Sequence, residues 1–124
     1  EFNRVEPGGE HGYPLFDCDV CFAAPDDVEI IPPIATFVPH SAPTGVTAYL
    51  DDEFPGYTNS LFVTLWSAFP EAQKVVWFGP DGEGRADFAT GFAAPIDLTV
   101  GPDGALYVAD WATGLIFRIA YVGM

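Results

Sequence analysis

Hydrophobic and polar positions alternate along this chain in short runs of four to eight residues, which is the period of half-buried strands. Gly45–Leu50 alternates, and Leu61–Ala68 reads Leu-Phe-Val-Thr-Leu-Trp-Ser-Ala, the pattern of a strand buried on both faces. Lys74–Phe78, Ala86–Phe92, Ile96–Val100, Ala105–Asp110 and Leu115–Val122 follow. Upstream, Val28–Ile31 and Ile34–Val38 flank the pair Pro32-Pro33. Turn signals separate the runs: Asp51-Asp52, Pro55-Gly56, Pro80-Asp81-Gly82, Pro102-Asp103-Gly104 and Thr113-Gly114. Asp81-Gly82 and Asp103-Gly104 read as hairpin turns. The first 27 residues are turn-rich. Many short strands with regular turns leave a sandwich, a barrel or a propeller.

An internal repeat decides among these. Leu61-Phe62-Val63-Thr64-Leu65-Trp66 matches Leu106-Tyr107-Val108-Ala109-Asp110-Trp111, an offset of 45 residues. Each copy is preceded by an alternating strand and followed by a second apolar one, Val75-Val76-Trp77-Phe78 and Leu115-Ile116-Phe117-Arg118. A period in the forties with about four strands is a propeller blade. The fold class is therefore all-β, a partial β-propeller of about two blades of four-stranded antiparallel sheet. Residues 1–38 are the end of a preceding blade with a turn-rich loop, Ile30–Val38 forming its outer strand. Residues 39–92 are a complete blade, and residues 93–124 a final blade of three strands that lacks its outer one.

Composition agrees. Of 124 residues 49% are hydrophobic, which rules out a disordered chain, and eleven Phe, five Tyr and three Trp suit half-buried strands. The net charge is −14, with four Lys and Arg against 18 Asp and Glu. Such a surface repels nucleic acid and anionic membranes. It reads as plain solubility, ahead of a saline habitat, a basic partner or loosely held Ca²⁺ at Asp26-Asp27 or Asp51-Asp52-Glu53. No apolar run approaches a membrane span, and no signal peptide is expected within these residues. The chain opens at Glu1-Phe2-Asn3 without Met, so it is expected to be processed, truncated or one piece of something larger.

Cys18 and Cys21 form a Cys-x-x-Cys. Haem attachment fails because Phe22 stands where His is required. A thioredoxin-like site lacks its βαβ context. Zinc would recruit His11 and His40. A local disulfide in an oxidising compartment is the leading reading, and free thiols remain.

Four segments carry a family resemblance. Asn3 through Pro14 resembles the Asn-x-x-x-x-Gly-Gly-x-x-Gly-aromatic-Pro stretch of glucose/sorbosone dehydrogenase-like proteins. Pro39-His40-Ser41-Ala42-Pro43-Thr44-Gly45, then Phe54-Pro55-Gly56-Tyr57 through Leu61-Phe62-Val63, then Pro95 through Val108 resemble successive segments of the same family. The resemblance implies the C-terminal part of a six-bladed ring that holds pyrroloquinoline quinone (PQQ) with Ca²⁺, oxidises sugars, and lies in the periplasm or outside the cell. It implies that the family's catalytic base and main Ca²⁺ ligands lie upstream of Glu1, and it leaves about four blades outside this chain. No catalytic or metal-ligating residue is assigned here. His40 and Ser67 are the cofactor-binding candidates, on loops expected to face the quinone. Where characterised relatives carry a basic residue and arginines, this chain has Ser67, Ala94 and Ile96. The chain alone is therefore expected to be inactive. The alternative is a non-catalytic propeller serving as a structural or binding subunit of an envelope or extracellular assembly. The expected partners are the remaining blades or another protein chain, with a sugar as substrate and neither nucleic acid nor membrane insertion.

Overall fold

The computed structural model describes residues 1–12, 26–67, 69 and 72–123. They divide into two compact units, Glu1–Phe37 and Val38–Met124. The described residues form seven strands and no α-helix: β1 (Pro43–Tyr49), β2 (Ser60–Leu65), β3 (Lys74–Phe78), β4 (Ala86–Ala89), β5 (Pro95–Val100), β6 (Leu106–Asp110) and β7 (Leu115–Ile119). They make a four-stranded sheet, β1-β2-β3-β4, and a three-stranded sheet, β5-β6-β7. Every neighbouring pair is antiparallel. The protein is all-β, as expected, with two sheets of the kind that build a partial propeller.

The repeat is visible in the register. Pro43 faces Leu65 in the first sheet and Pro95 faces Asp110 in the second, each beside a bulge. The predicted turns form as well. Gly82 N donates to Gly79 O at 2.9 Å and Gly104 N to Gly101 O at 3.0 Å, both glycines at positive φ.

The first unit differs from its prediction. Ile30–Val38 does not form an outer strand. It makes two isolated bridges, Glu10 with Ile30 and Phe2 with Ala35. Pro32 and Pro33 remove two consecutive amide donors from its middle, so a continuous ladder cannot run through it.

The two sheets of the second unit bury one shared apolar cluster: Tyr49, Phe62, Val75 and Phe54 from the first sheet and its loops, Leu98, Leu106 and Val108 from the second. Aromatic edges fill the space, with Phe62 and Phe88 ring centroids 4.6 Å apart. At one end Tyr49 joins the sheets. Its hydroxyl donates to Gly104 O at 2.9 Å and accepts from Phe54 N at 3.0 Å. Burial first, and then the Asp51–Glu53 charges, push its phenol pKa up against the lowering effect of the Phe54 amide. At the other end β1 passes close to β5. A Cβ on Gly45 would lie 2.5 Å from Asp97 Oδ1 and 2.9 Å from Asp97 Cα, so only glycine fits there.

Candidate functional site

Antiparallel pairing decides which loops share an end. The start of β1 lies beside the end of β2, and the start of β5 beside the end of β6. Tyr49 and Gly104 meet at the opposite end of both sheets. The segments 38–43, 93–95 and 112–114, with Ser67, Phe69, Ala72 and Gln73, therefore lie at one common end, which was expected to be the cofactor-facing one.

In the first sheet a hydroxyl holds this end together. Ser67 is buried. Its Oγ donates to His40 O at 3.1 Å and accepts from Phe69 N at 3.0 Å. Gln73 Nε2 donates to Ser67 O at 2.9 Å, and Trp66 N to Ala42 O at 2.9 Å. His40 and Ala42 take positive φ values of 65° and 44°, a conformation uncommon for side-chain-bearing residues. A turn secured by Ser41 supports them, with its N and Oγ both donating to Val38 O. The structure thus brings the two sequence-predicted candidates together, but through the backbone of His40. The His40 imidazole is exposed, 6.5 Å from the Phe69 ring at a tilt of 55°.

In the second sheet a carboxylate does the corresponding work. Asp110 is only 2% exposed. Its Oδ2 accepts from Ala93 N at 2.7 Å and Ala94 N at 3.1 Å, and its Oδ1 from Thr113 N at 3.1 Å. Trp111 N donates to Ala94 O at 2.9 Å, the counterpart of the Trp66–Ala42 bond. Burial alone would raise the Asp110 pKa. The amides of Ala94, Thr113 and Ala93, with the Thr113 hydroxyl, overcome burial and hold it below the ordinary carboxylate range. Sequence reasoning did not single out Asp110. The signal was present: the repeat places Asp110 where Leu65 stands, and a charge in a buried strand position needs a dedicated set of donors.

Two cations are tied elsewhere. Lys74 Nζ lies 2.8 Å from Asp87 Oδ1, and Arg118 Nη2 lies 2.7 Å from Asp103 Oδ2. Among the described residues, no group of three or more His, Cys, Asp or Glu is placed to hold a metal. Cys18 and Cys21 lie outside the described residues. No helix of the described residues is long and apolar enough to cross a membrane.

A family model described as Glucose / Sorbosone dehydrogenase matches residues 1–118. No curated protein matches the sequence.

Proposed function

Since the chain belongs to the glucose/sorbosone dehydrogenase family, we propose that it supplies about two blades of a PQQ-type sugar dehydrogenase-like propeller and does not hold the quinone by itself. One observation carries this reading. At the loop end of the second sheet, the amides that could meet an anion are already occupied by an anion, Asp110. A tricarboxylate quinone wants cations and free donors, and binding it near Asp110 sets like charge against like. In the first sheet the Ser67 hydroxyl is buried and spent on His40 O. The side chains of these loops do not fit the group, so no reaction step is assigned to it here. Of the two cofactor candidates, His40 keeps an exposed side chain for a ligand. The family resemblance and the Cys18–Cys21 spacing support a periplasmic or extracellular setting.

The test titrates the 124-residue chain with the quinone and Ca²⁺ by absorbance, and assays aldoses with a dye acceptor. The expected outcome is neither saturable binding in the micromolar range nor turnover. Tight binding with turnover by this chain alone overturns the reading. The same buried anion favours a second reading, a non-catalytic structural or binding propeller. Assay of the longest natural form separates the two: turnover supports the first, and its absence supports the second.

A further inference from the structure

The two sheets carry the same four residues in one turn each. Gly79-Pro80-Asp81-Gly82 follows β3, and Gly101-Pro102-Asp103-Gly104 follows β5. The two turns fold alike. Gly82 N donates to Gly79 O at 2.9 Å and Gly104 N to Gly101 O at 3.0 Å. Gly79 N donates to Glu83 O at 2.6 Å and Gly101 N to Ala105 O at 2.8 Å. Both aspartates are exposed. An aspartate followed by glycine is open to one covalent reaction, because glycine has no Cβ to shield its amide. The amide nitrogen attacks the side-chain carboxyl carbon, the new N–C bond forms, and water leaves, which gives a five-membered succinimide. Water then reopens the ring. Opening at the side-chain carbonyl restores aspartate, and opening at the main-chain carbonyl routes the backbone through the side chain as isoaspartate. One water is lost and one regained, so no oxidant or co-reactant is needed.

With sequence and turn shape equal, what holds each carboxyl decides. Asp103 Oδ2 accepts from Arg118 Nε at 2.8 Å and from the Tyr107 hydroxyl at 3.1 Å, and its Oδ1 from Ala105 N at 3.3 Å. Gly104 is fixed as well. Its O accepts from the buried Tyr49 hydroxyl at 2.9 Å, and a Cβ on it would lie 2.6 Å from Asp51 Oδ1 and 2.7 Å from Glu53 Cβ. The Asp103 carboxyl must therefore leave an arginine, and Gly104 must turn in a packed place, before the two can react. Arg118 also holds the Asp103 carboxyl below its usual range, which keeps scarce the neutral acid whose OH departs as water. Among the described residues, no hydrogen bond or ion pair holds the Asp81 carboxyl.

We propose that Asp81 is a modification site, where isoaspartate forms spontaneously through a succinimide with Gly82, and that the fold protects the identical sequence at Asp103. The bond that each glycine amide must give up, to Gly79 O or Gly101 O, is the same in both turns and cancels from the comparison. Isoaspartate adds a backbone methylene inside the turn that Gly79 N and Glu83 O close, so the product loosens the β3–β4 hairpin and spares the β5–β6 one.

The test ages the longest natural form of the protein at neutral pH and physiological temperature, folded and in urea. Isoaspartyl peptides are separated by chromatography and recognised by unchanged mass, resistance to an Asp-specific endoprotease and methylation by an isoaspartyl methyltransferase. The expected result is several-fold more isoaspartate at Asp81 than at Asp103 in the folded protein, and near-equal amounts in urea. Arg118→Ala should raise the folded-state rate at Asp103 several-fold and leave Asp81 as it was. Equal accumulation at the two sites when folded, accumulation at neither, or a difference that persists in urea overturns the proposal. An unchanged Asp103 rate in Arg118→Ala would remove the arginine as the guard and overturn it as well.

Discussion

The loop ends of the two sheets solve one problem with different chemistry. Each must fasten the segment leading into its first strand to the loop that leaves its second. The first sheet uses a neutral hydroxyl, Ser67, with one bond to each side. The second uses an ionised carboxylate, Asp110, with three amide donors. Charge-assisted bonds are about twice as strong as neutral ones, so the second fastening should be stiffer and the first easier to open. It should also be the one that responds to pH. A repeat that looks uniform in its strands is thus asymmetric at the end that was expected to face the cofactor.

The largest expected effect comes from breaking the stronger fastening. Asp110→Ala removes the acceptor for Ala93, Ala94 and Thr113 and leaves a buried hole. The expected loss is roughly 3 kcal/mol in urea unfolding, the scale for stranding partly buried donors together with a charged acceptor. The pH dependence has a definite sign. The folded-state pKa of Asp110 is depressed, so its contribution is present above the unfolded value of about 4 and is lost as pH falls through the lower folded value. Asp110→Asn should flatten that acid limb relative to the parent protein. An unchanged acid limb would mean that Asp110 is not the stabilising anion.

Ser67→Ala sharpens the contrast from the other side. The hydroxyl is neutral, and the neighbouring His40 is exposed enough for water to replace the lost donor. The expected cost is about 1 kcal/mol, with no change in the acid limb. Amide exchange of Phe69 should quicken, because its N–H loses Ser67 Oγ, while Ala94 exchange stays as it was. Equal losses for Ser67→Ala and Asp110→Ala would erase the distinction between the two ends.

Much of this fold was legible in the sequence because period-2 patterning and turn residues are local signals. Leu61–Ala68 and its copy at Leu106 specify β2 and β6, and Pro-Asp-Gly marks two of the hairpins. Ile30–Val38 was misread because β-branched residues suggested a strand, while the donors lost at Pro32 and Pro33 matter only once a partner strand is sought. The strand ends were also overrun: β4 stops at Ala89 and β7 at Ile119. The site was less legible. His40 and Ser67 were singled out by the family resemblance and by the loops a propeller turns toward a cofactor, but nothing in their spacing reveals that the serine bonds the histidine's carbonyl rather than a ligand. Asp110 was hidden inside a strand motif, since the eye follows the apolar residues on either side of it. The amides of Ala93, Ala94 and Thr113 converge on one carboxylate only through the folded loops.

The smallest expected effect tests whether charge as such, rather than buried charge, sets the second sheet apart. That sheet carries another anion in an extended set of bonds. Asp103 Oδ2 accepts from Arg118 Nε at 2.8 Å and from the Tyr107 hydroxyl at 3.1 Å. The arginine holds the Asp103 carboxyl below its usual range, while the carboxylate and the Tyr107 hydroxyl raise the guanidinium. On paper this rivals the Asp110 set. Both partners are exposed, however, and water and salt compete for each of them. Arg118→Ala should therefore leave the urea midpoint within experimental scatter. Raising the salt concentration should change the parent protein no more than it changes the variant. Asp110→Ala should keep its full cost in the same salt, because its partners are backbone amides that ions cannot reach as easily. A substantial loss on Arg118→Ala that fades with salt would show that surface charge, and not the buried carboxylate alone, distinguishes the second sheet from the first.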